Sequence, residues 1–148
     1  MKKKQKYCII AVCILLFITS IFLIFKFNEK DLLPAFYPTS ETALYDLEQE
    51  DLTEIGIEAE WVKSYHALSS LLAISCERIF MFEVETNRMD LVKETCHAYI
   101  KKLKKEFANS SQEGILKDYE EYVDEDYYIL VISKKANTIM NSIKERIQ

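Results

Sequence analysis

The chain is 148 residues long, with 19 Lys and Arg against 24 Asp and Glu, and its charges are unevenly divided. Five basic residues, Lys2, Lys3, Lys4, Lys6 and Lys26, flank an uncharged N-terminal run, which leaves 14 basic against 24 acidic residues, a balance of −10, for everything else. Such a surface excludes nucleic acid and suits anionic lipid poorly, because phosphate binding needs clustered Lys and Arg. Gly56 and Gly114 are the only glycines, so the chain has neither a G-x-G-x-x-G turn nor a Walker loop to cradle a nucleotide phosphate.

Residues 1–6 read as a basic cytoplasmic tail. Tyr7 to Phe25 follows, 19 residues without a charge. As a helix it is roughly 28 Å long at about 1.5 Å per residue, close to the hydrocarbon thickness of a bilayer. An isolated apolar run in lipid must be helical to satisfy its own amides. The lysines before it keep the N-terminus inside, so residues 27–148 are expected outside. No A-x-A-like triplet follows the run, as a cleaved signal would require. Cys13 is preceded by the bulky Val12 and followed by twelve apolar or small residues, which does not fit a lipid-modified cysteine. The run therefore reads as an uncleaved single-pass signal anchor, with Cys8 and Cys13 as small apolar residues in lipid.

Residues 26–40 read as a linker stiffened by Pro34 and Pro38. The remainder, 41–148, is long enough for one domain with its own core. Residues 41–60 contain eight acidic residues and no Lys or Arg. A short helix is expected there, capped by Thr39 or Ser40, with Ala43, Leu44 and Leu47 on its apolar side and Gly56 ending it. Trp61–Ser69 alternates as a strand, Leu71–Ile74 connects it onward, and Arg78–Glu85 reads as an internal strand, apolar on both faces.

Asn87–Ala108 is a long helix whose stripe of Met89, Val92, Cys96, Tyr99, Leu103 and Phe107 must face a core, with Asn87 as its N-cap. Lys101, Lys102, Lys104 and Lys105 suit its negative C-terminal end. Asp118–Val123 and Tyr127–Ser133 form a strand pair, the second central in the sheet. Lys134–Ile147 is a last amphipathic helix. The expected fold is α+β: a small two-layer sandwich with a mixed or antiparallel sheet of three to four strands, helices mainly on one face.

Chemistry-bearing residues are sparse. His66 and His97 are the only histidines. Cys96 and His97 point about 100° apart on a helix and cannot act as nucleophile and base. Cys76 with His66 as base would work only if the two met across the strand pair. Cys76 and Cys96 can form a disulfide in an oxidising compartment, although Cys96 falls on a buried stripe where a free thiol is at home. Zinc would need three or four Cys or His at short spacings. The carboxylates Asp118, Glu120, Glu121, Asp124, Glu125 and Asp126 lack the glycine-containing calcium-loop pattern and read as a solvated turn. No catalytic, cofactor-binding or metal residue is assigned, and no cofactor is expected.

Three stretches, LTEIGIEAEWVKSYHAL from Leu52, CERIFMFEVE from Cys76 and DEDYYILVIS from Asp124, resemble a family of uncharacterised bacterial extracytoplasmic domains, lipoproteins or membrane-anchored proteins of unknown function. The likeness spans about 95 residues. The "YGID"-like step that opens the domain in that family stands here as EIGI, Glu54 to Ile57. The family's lipid-modified cysteine has no convincing counterpart. The resemblance implies a bacterial domain outside the membrane and carries no site residues. The chain is thus expected to be a membrane-anchored, non-enzymatic module that binds a protein partner at the cell envelope. The alternatives are a small-ligand or cation-binding module, or a thiol-dependent enzyme.

Overall fold

The computed structural model describes residues 43–147. The expected tail, anchor run and linker lie outside them. Among the described residues no helix is long and apolar enough to cross a membrane.

The element order is β1 (Leu44–Asp46), α1 (Gln49–Ile55), a 3-10 turn (Ala59–Trp61), β2 (Val62–Ser70), β3 (Arg78–Val84), α2 (Met89–Glu106), β4 (Glu120–Val123), β5 (Tyr127–Ile132) and α3 (Ala136–Ile147). The strands make one sheet in the order β1-β2-β3-β5-β4, and every neighbouring pair is antiparallel. The fold is α+β as expected, with five strands in place of three to four. The additional strand is β1, which falls within the helix expected after a Thr39 or Ser40 cap. Leu44 pairs with Ser70 and Asp46 with Leu68, so these residues complete the edge of β2. Tertiary pairing here overrides a weak helical pattern.

The helix starts later, at Gln49, where Asp51 Oδ2 accepts the Glu48 amide at 2.8 Å. Gly56 ends it as expected. Its φ is +104°, and its amide donates to the carbonyls of Leu52 and Thr53. A side chain in that left-handed conformation is strained, and a Cβ would meet Thr95 Cγ2 at 3.1 Å. Asn87 is not the N-cap of α2. It takes φ +65° in the preceding turn, and the cap position falls to Arg88.

The apolar stripe of α2 is buried as its spacing requires. Val92, Cys96, Ile100, Leu103 and Phe107 join Phe80, Phe82, Tyr128 and Leu130 of the two central strands in one core. Side chains alternate along a strand, so Ile79, Met81, Ile129 and Val131 point to the other face. They are buried too. Their cover is α3, whose Ile139, Met140 and Ile143 are buried and whose Lys144 Nζ lies 4.6 Å from the ring centre of Tyr122 on β4. The sheet is therefore covered on both faces, α1 and α2 on one and α3 on the other. Three layers replace the expected two, because two central strands that are apolar on both sides cannot leave one side wet.

Candidate functional site

The register separates the residues that a thiol mechanism needs. His66 sits opposite Met81, five residues along the chain from Cys76, which precedes β3, or about 16 Å at ~3.3 Å per extended residue. Cys76 is buried under the connection between α2 and β4, where its thiol faces Gln112 Oε1 at 3.6 Å and its amide donates to the same oxygen at 3.3 Å. Burial pushes the Cys76 thiol up, with the Arg78 guanidinium opposing, and so favours the unreactive thiol. Cys96 lies on another element and is also a buried free thiol, so the disulfide is not formed. Burial pushes Cys96 from 9.0 up to about 12, which the neighbouring Tyr128 hydroxyl only partly offsets.

His97 is used structurally. Its Nε2 lies 2.9 Å from Glu121 Oε1, joining α2 to β4 over the buried Tyr128. Among the described residues the Tyr128 hydroxyl meets no partner in good hydrogen-bond geometry, although the Cys96 thiol and the Glu121 carboxylate lie beside it. Among the described residues no group of three or more His, Cys, Asp and Glu is placed to hold a metal ion. In the acidic stretch, Asp124 Oδ1 accepts the amides of Asp126 and Tyr127 at 2.9 and 2.6 Å and so builds the β4–β5 turn.

The two ends of the sheet differ sharply. At one end, Val84 donates to the Asp126 carbonyl and Glu85 to that of Trp61, which gathers the connections of β2, β3, β4 and β5. Glu58, Glu60, Glu85, Asp124, Glu125 and Asp126 are all exposed there. Lys63 sits among them, 3.8 Å from Glu83 and 3.5 Å from Asp126.

At the other end the β2–β3 connection exposes Leu71, Leu72 and Ile74, at 63%, 50% and 79% of their surface. The tip is a built turn. Ser70 Oγ accepts the Leu72 amide, Ser75 donates its amide to the Leu72 carbonyl, and Ser75 Oγ accepts the Glu77 amide. Its base holds a buried carboxylate: Glu77, 3% exposed, accepts the Ser133 hydroxyl at 2.9 Å. A recess of about 240 Å³ beside the tip is lined by Leu72, Ile74, Glu77, Gln112 and Lys134. Ligand clefts usually span about 300–1,000 Å³, so it is small for a metabolite. The apolar composition of residues 71–74 was legible in the sequence. Their exposure was not, because the same letters serve equally well for a buried turn.

The sequence profile of the family described as Domain of unknown function (DUF4358) matches residues 38–133. The chain belongs to this family. The DUF4358 match runs from before β1 through β5 and into Ser133, so it spans the whole sheet and stops short of α3. The match bears out the expected membership of an uncharacterised family. No curated protein and no solved structure matches the chain.

Proposed function

We propose that this DUF4358 chain is a single-pass anchored, non-enzymatic module that engages a protein partner at a bacterial cell envelope, its N-terminus cytoplasmic and its domain outside. The observation that carries this reading is the polarity of the domain. The upstream chain joins it beside Leu71, where the Leu71 amide donates to the Ala43 carbonyl at 3.0 Å, while the exposed acidic rim lies at the opposite end of the same strands. The rim is thereby set apart from the point where the upstream chain enters the domain. A rim of carboxylates there suits a partner with a basic face, since complementary charge steers encounter and sets specificity. The buried thiols and the separation of Cys76 from His66 support binding over catalysis.

The test is site-specific photocrosslinking in intact cells, with the crosslinker placed at Glu125 and, as a control, at Asn141 on α3. A single protein adduct formed at 125, absent at 141 and lost on Glu85→Lys supports the reading. No charge-sensitive adduct at 125 overturns it.

A further inference from the structure

The exposed tip Leu71-Leu72-Ala73-Ile74 is not explained by a partner at the acidic rim. We infer that this tip inserts into the lipid interface of the bilayer that holds the anchor, and so docks the domain on the membrane surface; this rests on the anchored reading proposed above.

Four observations converge. The tip presents three large apolar side chains that the other described residues leave exposed. It stands at the end where the upstream chain joins, with Leu71 bonded directly to Ala43. The 17 residues from Lys26 to Thr42 span at most roughly 60 Å, which keeps that end within reach of the bilayer. Finally, Lys134 and Lys135 are exposed at the same end, and Lys134 lines the recess shared with Leu72 and Ile74. Asp118 is exposed beside Lys134, so this end is mixed in charge, whereas the acidic rim is at the far end of the strands.

A bilayer fits the tip better than a protein does. Three side chains on one turn fall well short of the ~800 Å² per partner of a standard protein interface. Insertion into a lipid interface needs no shape complementarity, only apolar surface on a scaffold that holds it out. The turn supplies that scaffold: its backbone is tied by Ser70 and Ser75, and its base is fixed to Gln112 through Cys76.

The experiment uses the full chain in phosphatidylcholine vesicles containing a minority of phosphatidylglycerol, with spin-labelled lipid as a quencher of tryptophan emission. The single native Trp61 lies at the acidic end and serves as the internal control. Ile74→Trp in a Trp61→Phe background reports on the tip, and Ile74→Trp with Trp61 retained, read by difference, replaces it if Trp61→Phe does not fold.

The expected result is a loss of roughly half or more of the emission from position 74 with a shallow label, as for a residue buried about 5–10 Å into the interface, and little loss from Trp61. Vesicles that float with the chain while position 74 is quenched no more than Trp61 overturn the inference and leave the anchor standing; a tip covered by a protein or a second copy gives this result. A chain that does not float with the vesicles overturns the anchored reading and the inference together.

Discussion

The hydroxyl of Ser133 donates to the buried carboxylate of Glu77 at 2.9 Å, across 56 residues of sequence. The bond ties the start of β3 to the end of β5, at the base of the exposed tip. Ser133 Oγ also accepts the Lys135 amide, and the Ser133 carbonyl accepts that of Ala136, so the same residue starts α3. Ser133→Ala removes a donor from a carboxylate that is only 3% exposed. The expected loss is about 1–3 kcal/mol. For a domain of about 100 residues each kcal/mol lowers Tm by ~4–8 °C, which thermal unfolding of the chain in detergent micelles measures directly. A melt unchanged from wild type would show that the bond contributes nothing net.

Gly56 and Gly114 make a matched pair. Gly56 takes φ +104° with Thr95 Cγ2 3.1 Å from where a Cβ would stand, whereas a Cβ at Gly114 meets nothing within 4 Å. Gly56→Ala is expected to cost about 1–2 kcal/mol for the left-handed backbone alone. Gly114→Ala is expected to be neutral, or to stabilise by about 0.4–1 kcal/mol through the unfolded chain. Urea midpoints of the two variants decide it; equal effects would mean that the backbone at Gly56 relaxes.

How much of this was legible in the sequence follows from how locally each feature is determined. The stripe of α2, the end of α1 at Gly56 and the central strand Tyr127–Ile132 depend on periodicity or on one residue's φ, and all three are present in the fold. Strand β1 is three residues long and exists because β2 offers an unpaired edge, which no local pattern reveals. The third layer was implicit in β3 and β5, since Ile79, Met81, Ile129 and Val131 needed a cover. At the site, the same limit applies. Residues 71–74 read as an apolar connector, and only the antiparallel pairing of β2 with β3 turns them outward. His97 could be read as unsuited to Cys96, but its bond to Glu121 depends on where β4 lands.

Tyr128 is fully buried, and among the described residues its hydroxyl meets only the Cys96 thiol and the Glu121 carboxylate, neither in good hydrogen-bond geometry, with Phe82 stacked at 6.5 Å between ring centres. A buried polar group without a partner carries a desolvation cost that its removal relieves. Tyr128→Phe keeps the ring, so its packing against Phe82 survives. Stability is expected to be unchanged or to rise by up to about 1 kcal/mol, read from the urea midpoint. A loss of that size would instead show that the hydroxyl bonds the neighbouring Glu121 carboxylate or Cys96 thiol.

The same pocket sets the response to alkali. Burial pushes the Cys96 thiol from 9.0 up to about 12, and it raises the Cys76 thiol and the Tyr128 hydroxyl as well. In each case the folded state holds its proton more tightly than the unfolded chain does. The stabilisation is therefore fully present below the unfolded value and is lost as pH rises through the folded one. Unfolding midpoints are expected to be flat in these groups up to about pH 8 and to fall steadily above about pH 9, the ordinary range for a cysteine. Cys96→Ala, although less stable at neutral pH because it leaves a small cavity, should decline less steeply between about pH 9 and 10, before tyrosine ionises. Alkylation gives an independent reading: iodoacetamide at neutral pH should leave Cys76 and Cys96 unmodified in the folded chain and modify both in urea. Rapid labelling of Cys96 without denaturant would mean that the α2 face opens readily, and the parallel decline of wild type and Cys96→Ala would assign the alkaline transition to other groups.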